Sequence, residues 1–269
     1  MLNVCVAGAT GWTGRAVAEG VRGADDLRLV SAVARRSAGR DLGEAWDGEQ
    51  IGVPVYGSVA DALDSAEADV VVDYTAHDVV RAHVDEAVRR SLGVVVGSSG
   101  LSAADFEEID SRATEAGVGV IASGNFSVTA AMAQAAAVLV AEHLPSSEVI
   151  DYAGAGKADV PSGTAQELAE KLGGVRPTTL ARSLADTSGP VEARGASIAG
   201  TQVHSVRLPS FVVSTEVVFG LPDERLSIRH DAGSSAAPYV AGTLLAVRRV
   251  PQVRGVVRGL DTLLTSDAG

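Results

Sequence analysis

The chain has 269 residues, 46% of them hydrophobic and 21% charged, with a formal net charge of −12. That length suits one large domain or two smaller ones with an ample core, and the acidic balance argues against nucleic-acid or anionic-membrane binding. The lone Cys5 excludes an intramolecular disulfide, and the lack of a bilayer-length apolar run, or of a leader ahead of the first strand, predicts a cytoplasmic protein.

Leu2-Asn3-Val4-Cys5-Val6-Ala7 is an apolar run predicted to be the first strand, with Cys5 as a core residue rather than a nucleophile. Gly8-Ala9-Thr10-Gly11-Trp12-Thr13-Gly14 follows, then a helical pattern over residues 16–21. Glycines 8, 11 and 14 form a variant of the dinucleotide fingerprint. One allows the tight turn, one the close approach of a pyrophosphate, one the packing of helix on strand. The position directly after a strand and before a helix favours a nucleotide site over a plain turn.

A second strand is predicted over residues 27–34. An NAD-preferring site carries an acid at its end; this one carries Arg35-Arg36. Guanidinium groups suit a ribose 2′-phosphate, so NADPH is expected, with NADH as the alternative. Solvated loop charges are the simpler explanation of the same pair.

Strands over 68–74, 93–97 and 117–122 alternate with helices over 77–90 and from Ser102 to about Ala116. Strands separated by helices imply a parallel sheet with ligands beyond its carboxyl ends. The loops at 8–14, 35–36, 74–76, 97–100 and 123–126 then line one crevice.

Beyond residue 125 the pattern changes. An Ala-rich helix is expected over 128–142, and strand signals dominate from 147. Lys157-Ala158-Asp159-Val160-Pro161-Ser162-Gly163-Thr164-Ala165 precedes a helix through Leu172 that ends at Gly173-Gly174. The backbone N–H groups of Gly163 and Thr164 would point out of its N-terminus, where a substrate carboxylate can bind. Lys157 is then a proton donor or a second carboxylate partner. An ordinary helix capped by Ser162 or Thr164 accounts equally well for the segment. Residues 173–200 are expected to form a long loop. Residues 214–220 and 225–230 alternate as a hairpin around Leu221-Pro222-Asp223-Glu224, and a helix over 238–247 could return to the first domain. The histidines and acids show no ligand spacing, so no metal is expected.

These stretches resemble the dihydrodipicolinate reductases (4-hydroxy-tetrahydrodipicolinate reductases) of bacterial lysine biosynthesis over essentially the whole chain. The carriers are Val6-Ala7-Gly8-Ala9-Thr10-Gly11-Trp12-Thr13-Gly14-Arg15, Val72-Asp73-Tyr74-Thr75, Gly97-Ser98-Ser99-Gly100-Leu101, Asn125-Phe126-Ser127-Val128, the Lys157–Ala165 element and His204-Ser205-Val206-Arg207. The resemblance implies an α/β protein. A Rossmann dinucleotide-binding domain over 1–125 would be completed by a C-terminal helix at about 236–269. An α+β substrate-binding and oligomerisation domain with a mostly antiparallel sheet would span 126–235 and build a homotetramer. It implies NAD(P)H-dependent hydride transfer to a C=N or conjugated C=C of a small carboxylated substrate. Carried over, Gly8, Ala9, Thr10, Gly11, Trp12 and Thr13 hold the pyrophosphate, and Arg35 and Arg36 the adenosine ribose or its phosphate. Thr75, Gly97, Ser98, Ser99, Ser123, Gly124, Asn125 and Phe126 complete the cofactor site. Lys157 donates the proton, and Ser162, Gly163 and Thr164 bind a carboxylate.

The chain departs from that family where it counts. The family's Glu-x-His-His-x-x-x-Lys reads Asp151-Tyr152-Ala153-Gly154-Ala155-Gly156-Lys157, so Ala153 and Gly154 stand at the two histidine positions. Its Gly-Glu-His-Thr stretch reads Val213-Ser214-Thr215-Glu216. Histidines 77, 83, 143, 204 and 230 and Tyr152 are the remaining candidates for a proton-transfer group, with Tyr152 expected on the opposite face of its strand. A reductase of the same chemistry with another substrate, an authentic 4-hydroxy-tetrahydrodipicolinate reductase working with Lys157 alone, and a non-catalytic NADPH-binding protein all fit the sequence.

Overall fold

The structure, a computed structural model, describes residues 1–265. The chain divides into two compact units, one of Met1–Val128 with Ala236–Leu264, the other centred on Thr129–Ser235.

In the first unit the chain runs β1 (Leu2–Ala7), α1 (Trp12–Arg22), β2 (Leu27–Val33), α2 (Leu42–Ala45), β3 (Val55–Tyr56), α3 (Val59–Ser65), β4 (Val70–Asp73), α4 (Val80–Arg89), β5 (Gly93–Val96), α5 (Ala103–Ala116) and β6 (Gly119–Ala122). The central strands are buried valine runs, as a parallel sheet covered on both faces requires. Val4, Val6, Val70, Val71, Val72, Val94 and Val95 are all fully buried, each contributing on the order of 1.5–3 kcal/mol. Helix α5 starts at a reciprocal capping box between Ser102 and Asp105 and stops at Gly117, whose φ is +70°.

The second unit holds α6 (Val128–Ala141), β7 (Ser147–Ala153), α7 (Gly163–Val175), β8 (Ala196–Ile198), β9 (Thr201–Arg207), β10 (Val213–Leu221) and β11 (Glu224–Asp231). Its sheet has the order β11-β10-β7-β9-β8. Only the β7–β9 pairing is parallel, so the sheet is mixed. Strand β7 alternates strictly between buried and half-buried positions. Val149, Val217 and Phe219 pack with Ala169 and Leu172 of α7 and Ala137 and Ala141 of α6, which marks the covered face.

The chain then returns to the first unit as α8 (Ala237–Arg249), β12 (Gly255–Arg258) and α9 (Leu260–Thr265). The resulting seven-stranded sheet has the order β12-β6-β5-β4-β1-β2-β3, every pairing parallel. The end of the chain is therefore not one helix over 236–269: the turn after Pro251 frees a four-residue strand that extends the sheet beside β6, and residues 266–269 lie outside the described part. Three further boundaries differ from expectation. Helix α1 begins at Trp12 because Gly14 is accepted in its first turn, packed on the Gly8 carbonyl. Helix α4 begins at Val80, not residue 77, after a turn over Ala76–Val79 whose ends bond at 3.2 Å. The stretch 173–200 is not all loop: α7 runs on to Val175 and β8 pairs with β9. Strand β8 is mostly exposed at the sheet edge and has no apolar alternation to reveal it.

Candidate functional site

Strand β1 lies between β2 and β4, so the winding of the first sheet reverses beside it. Ligands of such sheets sit at the carboxyl ends of the strands at this point. The glycine turn leaves β1 there. Gly8 has φ +82°, and a Cβ on it would collide with the Tyr74 carbonyl oxygen. Gly11 N donates to Gly8 O at 2.9 Å, and a Cβ on Gly14 would land on that same oxygen. Ala9 is fully buried, and Trp46 Nε1 donates to its carbonyl at 3.0 Å, pinning the turn. Thr10 and Trp12 are exposed and Thr13 half-buried. Gly11 caps α1 without a side-chain contact, and the first turn holds no acid. A diphosphate fits this helix end: its first turn carries no acid, and the glycines leave its approach clear.

Arg35 and Arg36 start a single 3₁₀ turn directly after β2. Both are exposed, and neither has a carboxylate partner among the described residues. Across the switch point, Thr75 and Ser98 follow β4 and β5 and converge on the fully buried carboxylate of Asp73. A Cβ on Gly97 would enter the Tyr74 ring, so this glycine is demanded by packing. Ser99 is exposed. The segment after β6 is arranged differently from expectation. Ser123, Asn125 and Phe126 are 8%, 9% and 1% exposed, and Gly124 is the open residue. Ser123 Oγ donates to Asn125 O at 2.9 Å, Asn125 Oδ1 accepts from Ser127 N at 2.8 Å, and Phe126 meets Tyr74 edge-on at 6.3 Å. These side chains shape the loop, and Gly124 is its one exposed residue.

In the second unit, alternation along β7 puts Asp151 and Ala153 on the face covered by α7 and Tyr152 on the other. There Tyr152 donates to Glu216 Oε2 at 3.1 Å and lies 4.7 Å beneath Arg229. Asp151, fully buried, accepts from Ser162 N at 2.9 Å, Ser162 Oγ at 2.7 Å, Ser205 Oγ at 3.1 Å and Arg207 Nη2 at 2.7 Å. Burial pushes its carboxyl up, but the bonds from Ser162 and Arg207 outweigh this and hold it below the usual carboxylate range. Arg207 Nη2 also donates to Asp159 O at 2.8 Å, so the segment between β7 and α7 is tied down at Asp159 and at Ser162. Lys157 rides on that segment. Its backbone N–H donates to Gly154 O at 3.0 Å, and its ammonium sits 2.8 Å from Asp159 Oδ1. Ser162 is N-cap of α7, its hydroxyl accepting from Ala165 N at 3.3 Å, and Gly163 and Thr164 are the first two helical residues.

Ala153, at the first of the two histidine positions, is fully buried, while Gly154 is half-buried. Of the histidines of this unit, His204 is bonded to Glu148 at 2.8 Å and His143 is exposed. His230 shares a row with Thr215 and Asp151 across β11, β10 and β7. It bonds Thr129 Oγ1 at 3.1 Å and, with Thr164 and Thr215, lines a cavity of about 20 Å³, room for one water. The sequence reading missed Asp73, Asp151 and Arg207. For Asp73 the available signal was an aspartate closing an otherwise apolar strand, since a buried carboxylate has to be met by donors; Asp151, inside the mixed strand Ser147–Ala153, gave no such signal.

The N-terminal family model of dihydrodipicolinate reductase matches residues 2–126 and the C-terminal one residues 125–264. The chain is 35% identical over 268 residues to the 4-hydroxy-tetrahydrodipicolinate reductase of Thermosynechococcus vestitus, covering 98% of this chain and 97% of that one. To its counterpart from Moorella thermoacetica it is 36% identical over 265 residues, covering 98% of each. A dipicolinate-bound dihydrodipicolinate reductase from Paenisporosarcina sp. TG-14 superposes with a TM-score of 0.77 at 26% identity over 98% of this chain and 99% of that one. The NAD complex of GenD2 from gentamicin A biosynthesis shares the fold, with a TM-score of 0.65 at 17% identity over 97% of this chain and 89% of that one. The chain belongs to the dihydrodipicolinate reductase family and is an NAD(P)H-dependent reductase of that type.

Proposed function

We propose that this reductase acts on a C=N or conjugated C=C of a small carboxylated, cyclic imine-like substrate, with NADPH preferred over NADH and Lys157 as proton donor. The observation that carries the reading is the braced Lys157 segment. A buried Asp151–Arg207 pair has no bearing on dinucleotide binding, yet it holds a lysine and a helix N-terminus within one short stretch. Gly163 and Thr164 orient a substrate carboxylate at that helix end. Lys157, restrained by Asp159, delivers a proton to the atom left electron-rich by reduction. Bound NAD(P)H supplies the hydride. Gly8 to Thr13 hold its diphosphate, Thr75, Ser98 and the 123–126 backbone lie along its reactive half, and the unpaired Arg35 and Arg36 favour a 2′-phosphate. The half-buried, uncovered face of the second sheet is proposed to assemble a homotetramer in the cytoplasm.

A second reading, 4-hydroxy-tetrahydrodipicolinate as the substrate, is favoured by the 35–36% identity to reductases of that name along the whole chain. Ala153 and Gly154 favour the first, because they offer a substrate no imidazole. NADPH oxidation at 340 nm with freshly generated 4-hydroxy-tetrahydrodipicolinate separates them. Robust turnover lost in Lys157→Ala establishes the second. No turnover by a protein that still binds NADPH leaves another carboxylated imine as substrate.

A further inference from the structure

Asp73 closes β4 beside the switch point, paired in register with Ala7 immediately before the glycine turn. Its carboxylate is fully buried and gathers four contacts. Thr75 N donates at 3.0 Å and Thr75 Oγ1 at 2.7 Å, Ser98 Oγ donates at 2.6 Å, and His83 Nδ1 lies 2.7 Å from Oδ2. The contacts come from the loop after β4, the loop after β5, and α4. Burial acts to raise the carboxyl, but the bonds from His83, Ser98 and Thr75 outweigh it and keep it below the ordinary range. An ionised carboxylate has no proton to give, so His83 Nδ1 is a donor, and the protons of both hydroxyls point inward at Asp73. A hydroxyl whose proton is committed offers only lone pairs in other directions.

We infer that Asp73 and His83 are positioning residues that fix the Thr75 and Ser98 hydroxyls as outward-facing acceptors for the donor groups of the cofactor's reactive half, its ribose hydroxyls or carboxamide NH₂. The inference rests on the proposed placement of NAD(P)H along these two loops. His83 acts by occupying Asp73 Oδ2, which leaves Oδ1 to take Thr75 and Ser98 together. Without it the carboxylate turns toward one hydroxyl and releases the other.

The test is NADPH affinity by fluorescence titration, with steady-state KM and kcat, on wild type, His83→Phe and His83→Asn, with thermal melts of each. His83→Phe should weaken NADPH binding and raise its KM about tenfold, the effect of losing one charge-assisted bond, with a much smaller change in kcat at saturating cofactor. His83→Asn, which keeps an N–H donor at that reach, should recover most of the affinity. Affinity in His83→Phe within about twofold of wild type overturns the inference, as does equal impairment of both variants. If His83→Phe does not fold, Ser98→Ala and Thr75→Val report the hydroxyls directly, and unchanged affinity in both overturns it. A wild-type protein that fails to bind NADPH sinks the cofactor placement itself, a result distinct from any difference between variants.

Discussion

Arg207 and Asp151 meet at 2.7 Å across the parallel pairing of β9 and β7, with Asp151 fully buried and the Arg207 side chain 15% exposed. The same guanidinium holds the Asp159 carbonyl, so a single buried pair couples the sheet to the Lys157 segment. Removing one partner strands the other charge in the interior, a change that costs about 3–5 kcal/mol. Arg207→Ala should lower stability to urea by that order, and kcat should fall more than stability alone accounts for as Lys157 loses its brace. A variant as stable and active as wild type would show that the segment holds itself.

Lys157 should behave in the opposite way. Its ion pair with Asp159 is about one third exposed on each side, and pairs of that kind contribute about 0–1 kcal/mol. Lys157→Ala should therefore melt within a few degrees of wild type while kcat drops about 10²–10⁴, the usual loss for a positioned proton donor. A large drop in melting temperature, or an unchanged kcat, would remove Lys157 from the chemistry.

The arginines after β2 test cofactor choice. Arg35→Ala with Arg36→Ala should raise KM for NADPH about tenfold or more and leave KM for NADH within about twofold, because only NADPH carries the 2′-phosphate they would bind. Equal effects on both cofactors would assign the arginines to the shared part of the molecule or to solvent.

Asp73 and Asp151 are both held below the normal carboxylate range by hydrogen bonds that outweigh burial. A depressed carboxylate adds stability that is fully present above its unfolded pKa, about 3.9, and is lost as pH falls through the folded value. Urea midpoints should thus be flat from neutral pH down to about 4 and fall steeply below. Asp73→Asn and Asp151→Asn should start lower at neutral pH and show a shallower acid decline. An unchanged acid slope in both variants would place the titration elsewhere.

Restoring a histidine at position 153 is not a benign reversal. Ala153 is fully buried, and added side-chain volume at such a place typically costs about 1–3 kcal/mol. Ala153→His should destabilise without raising turnover unless its neighbours are remodelled; a stable, faster variant would show that the pocket has kept its space.

The periodicity of the sequence was sufficient for the nucleotide-binding architecture: an apolar run before Gly8 and valine runs at 70–72 and 94–96, each followed by a polar loop, point to a parallel sheet. The glycine turn, the arginines after β2 and the Lys157–Thr164 element are local signals, since each depends on residues adjacent in the chain. Four-residue β12 and edge strand β8 left no such trace, because a short strand that borrows its partners from distant segments needs no pattern of its own. The tertiary structure alone decided that Phe126 and Asn125 are buried, that Tyr152 meets Glu216 and Arg229, and that Asp73 collects Ser98 and His83 while Asp151 collects Arg207. Those partners lie 25, 10 and 56 residues apart in the chain. A buried carboxylate announces that donors must come, but only the folded chain determines which ones arrive.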